Sequence, residues 1–238
     1  MTPMTGPLLL AILSSAPQAL RVDGKAGNNT LNAVFDAPLG ERITATSSAV
    51  GCDIQVDAQG RNLSGRCSVP LATITVDADP TKSDHFRQWA TNRKSDPARC
   101  MLSTELAAVA VFLPKVPGES TEFQADLPFT VCGRPREDGG REHVTGTVVR
   151  LEDGWLRVRA RIEHFHREAY RIGPRFTDGW LARVQSLAKV VAEEGTLELT
   201  LFAAPPEASA RPRASGDNVP CVPRPSTRSS NQERKCRT

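Results

Sequence analysis

Residues 121–162 read TEFQADLPFTVCGRPREDGGREHVTGTVVRLEDGWLRVRARI. Phe123, Ala125, Leu127, Phe129 and Val131 occupy every second position, and Val144, Gly146 and Val148 repeat that spacing more weakly. Leu156, Val158, Ala160 and Ile162 alternate with Arg157, Arg159 and Arg161. A two-residue period places all the apolar side chains of a strand on one face. The breaks, residues 134–141 with Gly139-Gly140 and then Glu152-Asp153-Gly154, carry turn chemistry. The stretch predicts an antiparallel meander with one apolar and one wet face. Such a meander needs a cover for its apolar face, and whether protein or lipid supplies it is the functional question.

Working outward, the same alternation recurs. Thr30 to Phe35, Arg42 to Ser47, Val50 to Val56, Leu63 to Val76 and Met101 to Leu113 read as strands. Thr196 to Phe202 is a last one, with Leu197, Leu199 and Leu201 on one face. Residues 77–99 are polar and fit a loop carrying a short helix, which Phe86 and Trp89 press onto the core. Asp84 with His85 is a candidate cap of that helix or headgroup contact. Trp180, Leu181, Val184, Leu187, Ala188 and Val191 recur at three and four, predicting a helix from about Gly179 to Glu194. About eight antiparallel strands with one or two short helices predict a mainly β fold, a closed barrel or a sandwich.

The chain has 238 residues, enough for one sizeable core. Its net charge is only +3, and from residue 205 onward seven basic residues stand against three acidic ones. The remainder is therefore not a basic nucleic-acid platform. The Pro-, Arg- and Ser-rich residues 205–238 read as a disordered tail. Leu8 to Leu13 is too short to span a bilayer, so no transmembrane segment is expected there. Small residues follow it, with Ala16 and Ala19 bracketing a cleavage pattern, so residues 1–20 read as a secretory signal peptide and the folded domain as residues 21–204. The expected location is periplasmic or extracellular.

Six cysteines agree with export. A hairpin centred on Gln59-Gly60 sets Cys52 opposite Cys67, within reach of a disulfide. A two-residue turn would make this the wider, hydrogen-bonded kind of pair, so a bulge is expected. Cys100 with Cys132, and Cys221 with Cys236, are the next pairs in one of the 15 connectivities that six cysteines allow. No Cys-x-x-Cys and no cysteine–histidine cluster of ligand spacing is present, so no metal is expected. His164 and His166 continue the parity of Leu156 to Ile162 and are predicted to point inward, as polar groups at a barrel mouth or, in another reading, as the centre of a metal-assisted enzyme. No nucleophile elbow, phosphate loop or HExxH motif occurs, so the expectation is a non-enzyme.

Several segments resemble the YceI-like family of exported, lipocalin-like barrels associated with polyisoprenoid lipids. Gly60 to Val76 looks like that family's strand running into a polar loop, and His85-Phe86-Arg87 resembles its His-Leu/Met-Arg. Asp96-Pro97 before Met101-Leu102-Ser103 is similar to its Tyr-Pro before a strand ending in Ser. Asp126-Leu127 with Gly133, Val144 to Val149, and Thr196 to Leu201 complete the likeness. Asp77-Ala78-Asp79 stands where the family has Thr-Gly-Asn, and Cys132 where it has His. The resemblance implies an eight-stranded lipocalin-like barrel holding an amphiphilic lipid, such as a polyisoprenoid or isoprenoid quinone, with no other cofactor. The lining would come from Phe123, Leu127, Phe129, Val131, Leu156, Val158, Ile162, Leu197, Leu199 and Leu201, with His164 and His166 at the mouth. The residues alone, without that resemblance, favour a structural or stress-related module whose interior its own side chains fill.

Overall fold

A computed structural model describes residues 18–91, 96–173 and 191–204. Among them the chain forms thirteen strand segments and one α-helix, and every strand pairing is antiparallel. The strands are β1 (Gln18–Val22), β2 (Thr30–Asp36), β3 (Arg42–Ser47), β4 (Gly51–Val56), β5 (Asn62–Pro70), β6 (Thr75–Val76), β7 (Met101–Ala110), β8 (Ser120–Leu127), β9 (Phe129–Val131), β10 (Arg134–Pro135), β11 (Glu142–Arg150), β12 (Leu156–His166) and β13 (Glu194–Ala204). The helix α1 is Pro80–Ala90.

Thirteen segments replace the expected eight strands because long strands are interrupted. β13 pairs with β1 near its C-terminal end and with β2 along its N-terminal half. In the same way β3 pairs with β2 while β4 pairs with β1. A 3-10 turn at Leu71–Thr73 separates β5 from β6, where the sequence predicts continuous strand. Pro128, which has no N–H to donate, separates β8 from β9.

The sheet rolls up because β8 pairs with β11 on one edge while β9, continuous with it, pairs with β7 on the other. It does not close. The β7–β9 ladder ends at Thr104 opposite Phe129, and no ladder joins the rest of β7 to β8. The fully hydrogen-bonded barrel expected from sequence is therefore corrected to a rolled sheet with one unzipped seam.

Registers align the inward side chains into rows. One row crosses seven strands: Leu156, Ala203, Val22, Cys52, Cys67, Thr104 and Phe129. All but the partly buried Cys67 are less than a tenth exposed. The outward face is wet. Arg21, Asp53, Arg66 and Glu105 lie opposite one another in turn, so charge alternates across four strands.

The Cys52–Cys67 disulfide forms, with Cα atoms 4.1 Å apart. The Asp57 N–H donates to the Asn62 carbonyl, so the turn between β4 and β5 holds four residues, not two. The longer turn shifts the hydrogen-bonding phase by one residue and makes Cys52–Cys67 the close, non-hydrogen-bonded kind of pair. No bulge is needed. Cys100 and Cys132 are also joined, whereas Cys221 and Cys236 lie outside the described residues. Cys132 (φ 50°) and Gly133 (φ 74°) form a two-residue hairpin turn that requires positive φ at both positions.

Asp79 caps α1, accepting from the backbone N–H groups of Thr81 and Lys82. Asp84 and His85 therefore do not cap it: Asp84 pairs with Arg87, and the His85 ring faces Trp89 at 6.3 Å. The helix expected over residues 179–194 falls mainly outside the described residues, and Glu194 itself opens β13. At the other end, β1 begins at Gln18 and buries Leu20.

Candidate functional site: the apolar interior

The interior is built from the odd positions of β8, β9 and β13 and the even positions of β11 and β12, as the alternation predicts. Leu127, Phe129, Val131, Leu156, Ile162, Leu197 and Leu201 are buried in one contiguous cluster. Phe123, Val158 and Leu199 pack against it and are only half-buried. The ten apolar candidates are thus brought together on one face.

His164 and His166 are not. The β12–β13 register shifts between Ile162 and Phe165, so an extra residue flips the parity. Phe165 takes the inward place, 4% exposed, and the His164 side chain is 79% exposed. Both histidines turn to Glu194 instead, His164 Nδ1 at 2.5 Å and His166 Nε2 at 3.7 Å from the same carboxylate oxygen. Among the described residues no group of three ligating side chains is poised to hold a metal.

Across the middle of the interior, two small residues stand between two large ones. Phe123, Gly146, Ala160 and Leu199 lie in one cross-strand row. A Cβ on Gly146 would meet the Phe123 ring at 2.6 Å and would also strike the Arg159 carbonyl, so the ring packs directly against the glycine. Phe35 covers Gly195 in the same way. All four residues of the row stay partly accessible although they point inward from mid-strand. Inward positions on either side, Val144, Val148, Ile162 and Leu197, are at most 3% exposed. These four half-buried positions, the waist, are thus an accessible part of the apolar face.

One end of the interior carries a polar cluster that the sequence reading does not pick out. Glu142, 1% exposed, shares the inward parity of Val144 and lies opposite Leu127. Its Oε1 accepts from the Tyr170 hydroxyl at 2.7 Å and from Arg136 Nη1 at 3.1 Å. Tyr170 is fully buried and stacks on Phe165 with centroids 5.2 Å apart. Burial, and then the bond to Glu142, push the Tyr170 phenol well above its ordinary range. Arg136 also grips Asp138, whose carboxyl falls to about 2 because it accepts from that guanidinium and from the Gly140 N–H. Extending the alternation of Val144 and Val148 two residues upstream is the signal that would have found Glu142.

Nearby, Arg167 is 8% exposed and donates to the carbonyls of Ile172, Val191 and Ala192. Arg134 donates to the carbonyls of Ala90 and Tyr170, tying α1 to this end. These contacts tie the polar end to the neighbouring backbone.

This arrangement has a counterpart. The chain is similar to the solved structure of a polyisoprenoid-binding domain from Saccharophagus degradans implicated in plant cell wall breakdown, with a TM-score of 0.56 over 79% of this chain and 99% of that one. The two share a fold. Identity is 12%, so the likeness lies in architecture and not in retained side chains. No family model matches the sequence. No curated protein matches it either. The shared fold, a mainly β antiparallel sheet in this chain, agrees with the resemblance read from sequence.

Proposed function

We propose that this protein is an exported binder of an amphiphilic lipid, of the polyisoprenoid or isoprenoid quinone class, which lies with its hydrocarbon inside the rolled sheet. The observation that carries the reading is the inward yet accessible row Phe123, Gly146, Ala160 and Leu199. A hydrocarbon chain laid along it removes apolar surface from water on both partners, worth about 25 cal/mol per Å². No special chemistry is required of the wall, so binding rests on area and shape. The fold shared with a polyisoprenoid-binding domain supports the class of ligand. Two disulfides support export, and no described helix is long and apolar enough to cross a membrane. The polar end, Glu142 with Tyr170, closes the apolar tract and favours a ligand with a long tail over a symmetrical polar one.

The test is direct. Organic extraction of the purified protein, followed by mass spectrometry, is expected to release an isoprenoid lipid. The emptied protein is expected to take up a fluorescent farnesyl analogue, and Ala160→Trp, which fills the waist, to abolish uptake while the fold persists by circular dichroism. Protein that yields no lipid and takes up no analogue would overturn the reading.

A further inference from the structure

We propose that the unzipped seam between β7 and β8 is a side door through which the hydrocarbon tail enters the interior; this rests on the lipid-binding reading above. The expected partner edges are in place but unpaired. Continuing the β7–β9 register would set Leu106 opposite Leu127 and Ala107 opposite Asp126, yet no ladder forms beyond Thr104 and Phe129.

Three features hold the edges apart. Pro128 stands at the apex of the gap and offers no N–H to it. β7 bulges against β5: Leu106 pairs with Gly65 and Val109 with Leu63, so β7 spends one residue more than its partner, and Ala108 takes φ 53°. The loop joining the two strands is pinned at its two ends to different neighbours. Val111 and Leu113 donate to the carbonyls of Arg61 and Gly60 in the β4–β5 turn. Gly118 donates to the Arg150 carbonyl, and Arg150 to that of Glu119, at the end of β11. Arg150 Nε adds a bond to the Pro114 carbonyl at 2.6 Å. The loop thus strides from one wall to the other and is tied at both ends to strands other than its own pair.

The lips of the gap suit a hydrocarbon. Ala107 and Ala108 are exposed and small, and Leu106, Phe123 and Ala125 on the inward parity are half-buried. Phe123 belongs to the waist row, so one lip of the gap adjoins the apolar interior. In the loop that joins β7 to β8, Phe112 is 63% and Val116 54% exposed, two of the three large apolar side chains left in water among the described residues. Apolar groups placed there shield a tail during transit.

The experiment bridges the lips. In an Ala107→Cys, Asp126→Cys variant, a short bismaleimide ties the edges, and a singly reactive maleimide serves as the control. The probe is dansyl-labelled farnesol, and stopped-flow fluorescence reads its association rate. The bridged protein is expected to load at least about tenfold more slowly than the control, with unchanged final stoichiometry. An unchanged rate would overturn the side door while leaving lipid binding intact. Failure of the unmodified protein to bind the probe at all would instead overturn the lipid reading and the door with it. Should the bridged protein lose its β signal, Ala107→Trp, at the exposed outer lip, replaces it with the same expected slowing and the same contrary result.

Discussion

A single side chain reports on the polar end of the interior. Tyr170 is the only tyrosine in the chain and is fully buried, with its hydroxyl donated to Glu142. Its folded form holds the proton more tightly than the unfolded form. The stability this bond adds is therefore complete below the ordinary tyrosine value of about 10, and it drains away as pH rises above that value, because the unfolded chain ionises first. Tyrosinate absorbance is expected to stay silent until the protein unfolds, and then to rise together with loss of the β signal. A smooth tyrosinate titration in protein that remains folded would contradict the burial. Tyr170→Phe leaves Glu142 with only Arg136 and is expected to cost about 1 kcal/mol at neutral pH, while flattening the alkaline decline.

At the scale of elements, β4 and β5 owe their pairing to the turn between them as much as to the disulfide. Asp57 accepts from the Arg61 N–H at 2.7 Å and the Asn62 amide at 2.6 Å, which holds the four-residue turn without any cross-link. Replacing Cys52 and Cys67 by Ala should then keep the register and lose about 3 kcal/mol, the chain-entropy value for a span of this length. Urea denaturation checks this, and an unshifted midpoint would refute it. Gly65, opposite Ile54, is the point of least tolerance: it sits at φ 147°, and a Cβ there would collide with the Asp53 carbonyl.

The same pair of strands shows what the sequence makes legible. Alternation placed Cys52 opposite Cys67 because side-chain period and turn position suffice to fix a register. It assigned the inward side of β8, β11, β12 and β13 for the same reason. It failed at His164, because a bulge is a backbone event decided by how β12 meets β13, and nothing in the side-chain period announces it. It missed Glu142 because a carboxylate on an apolar parity reads as the end of a strand, unless its partners Tyr170 and Arg136, distant or beyond a turn, are known. The open seam was equally hidden: the pattern of β7 and β8 suits pairing, and a proline with a loop tethered to two other strands prevents it.

Over the whole molecule, strand order departs sharply from chain order. β13 lies between β12 on one side and β1 and β2 on the other. Without β13, three strands lose a neighbour and the inward row from Leu156 to Val22 is cut. A chain shortened to end at Glu193 is therefore expected to show no cooperative thermal transition by circular dichroism, and a sharp transition would contradict the central place given to β13.

The pairing of Arg21 with Ala204 and Val22 with Ala203 also sets a timetable. Strand β1 must wait, unpaired along one edge, until residues 203–204 have been made, since long-range pairing cannot precede the arrival of its partner. During that interval the chain is still loose enough to be threaded through a translocation channel. A sheet that rolls up late in this way is compatible with the export proposed above, in which folding and cysteine oxidation follow passage across a membrane.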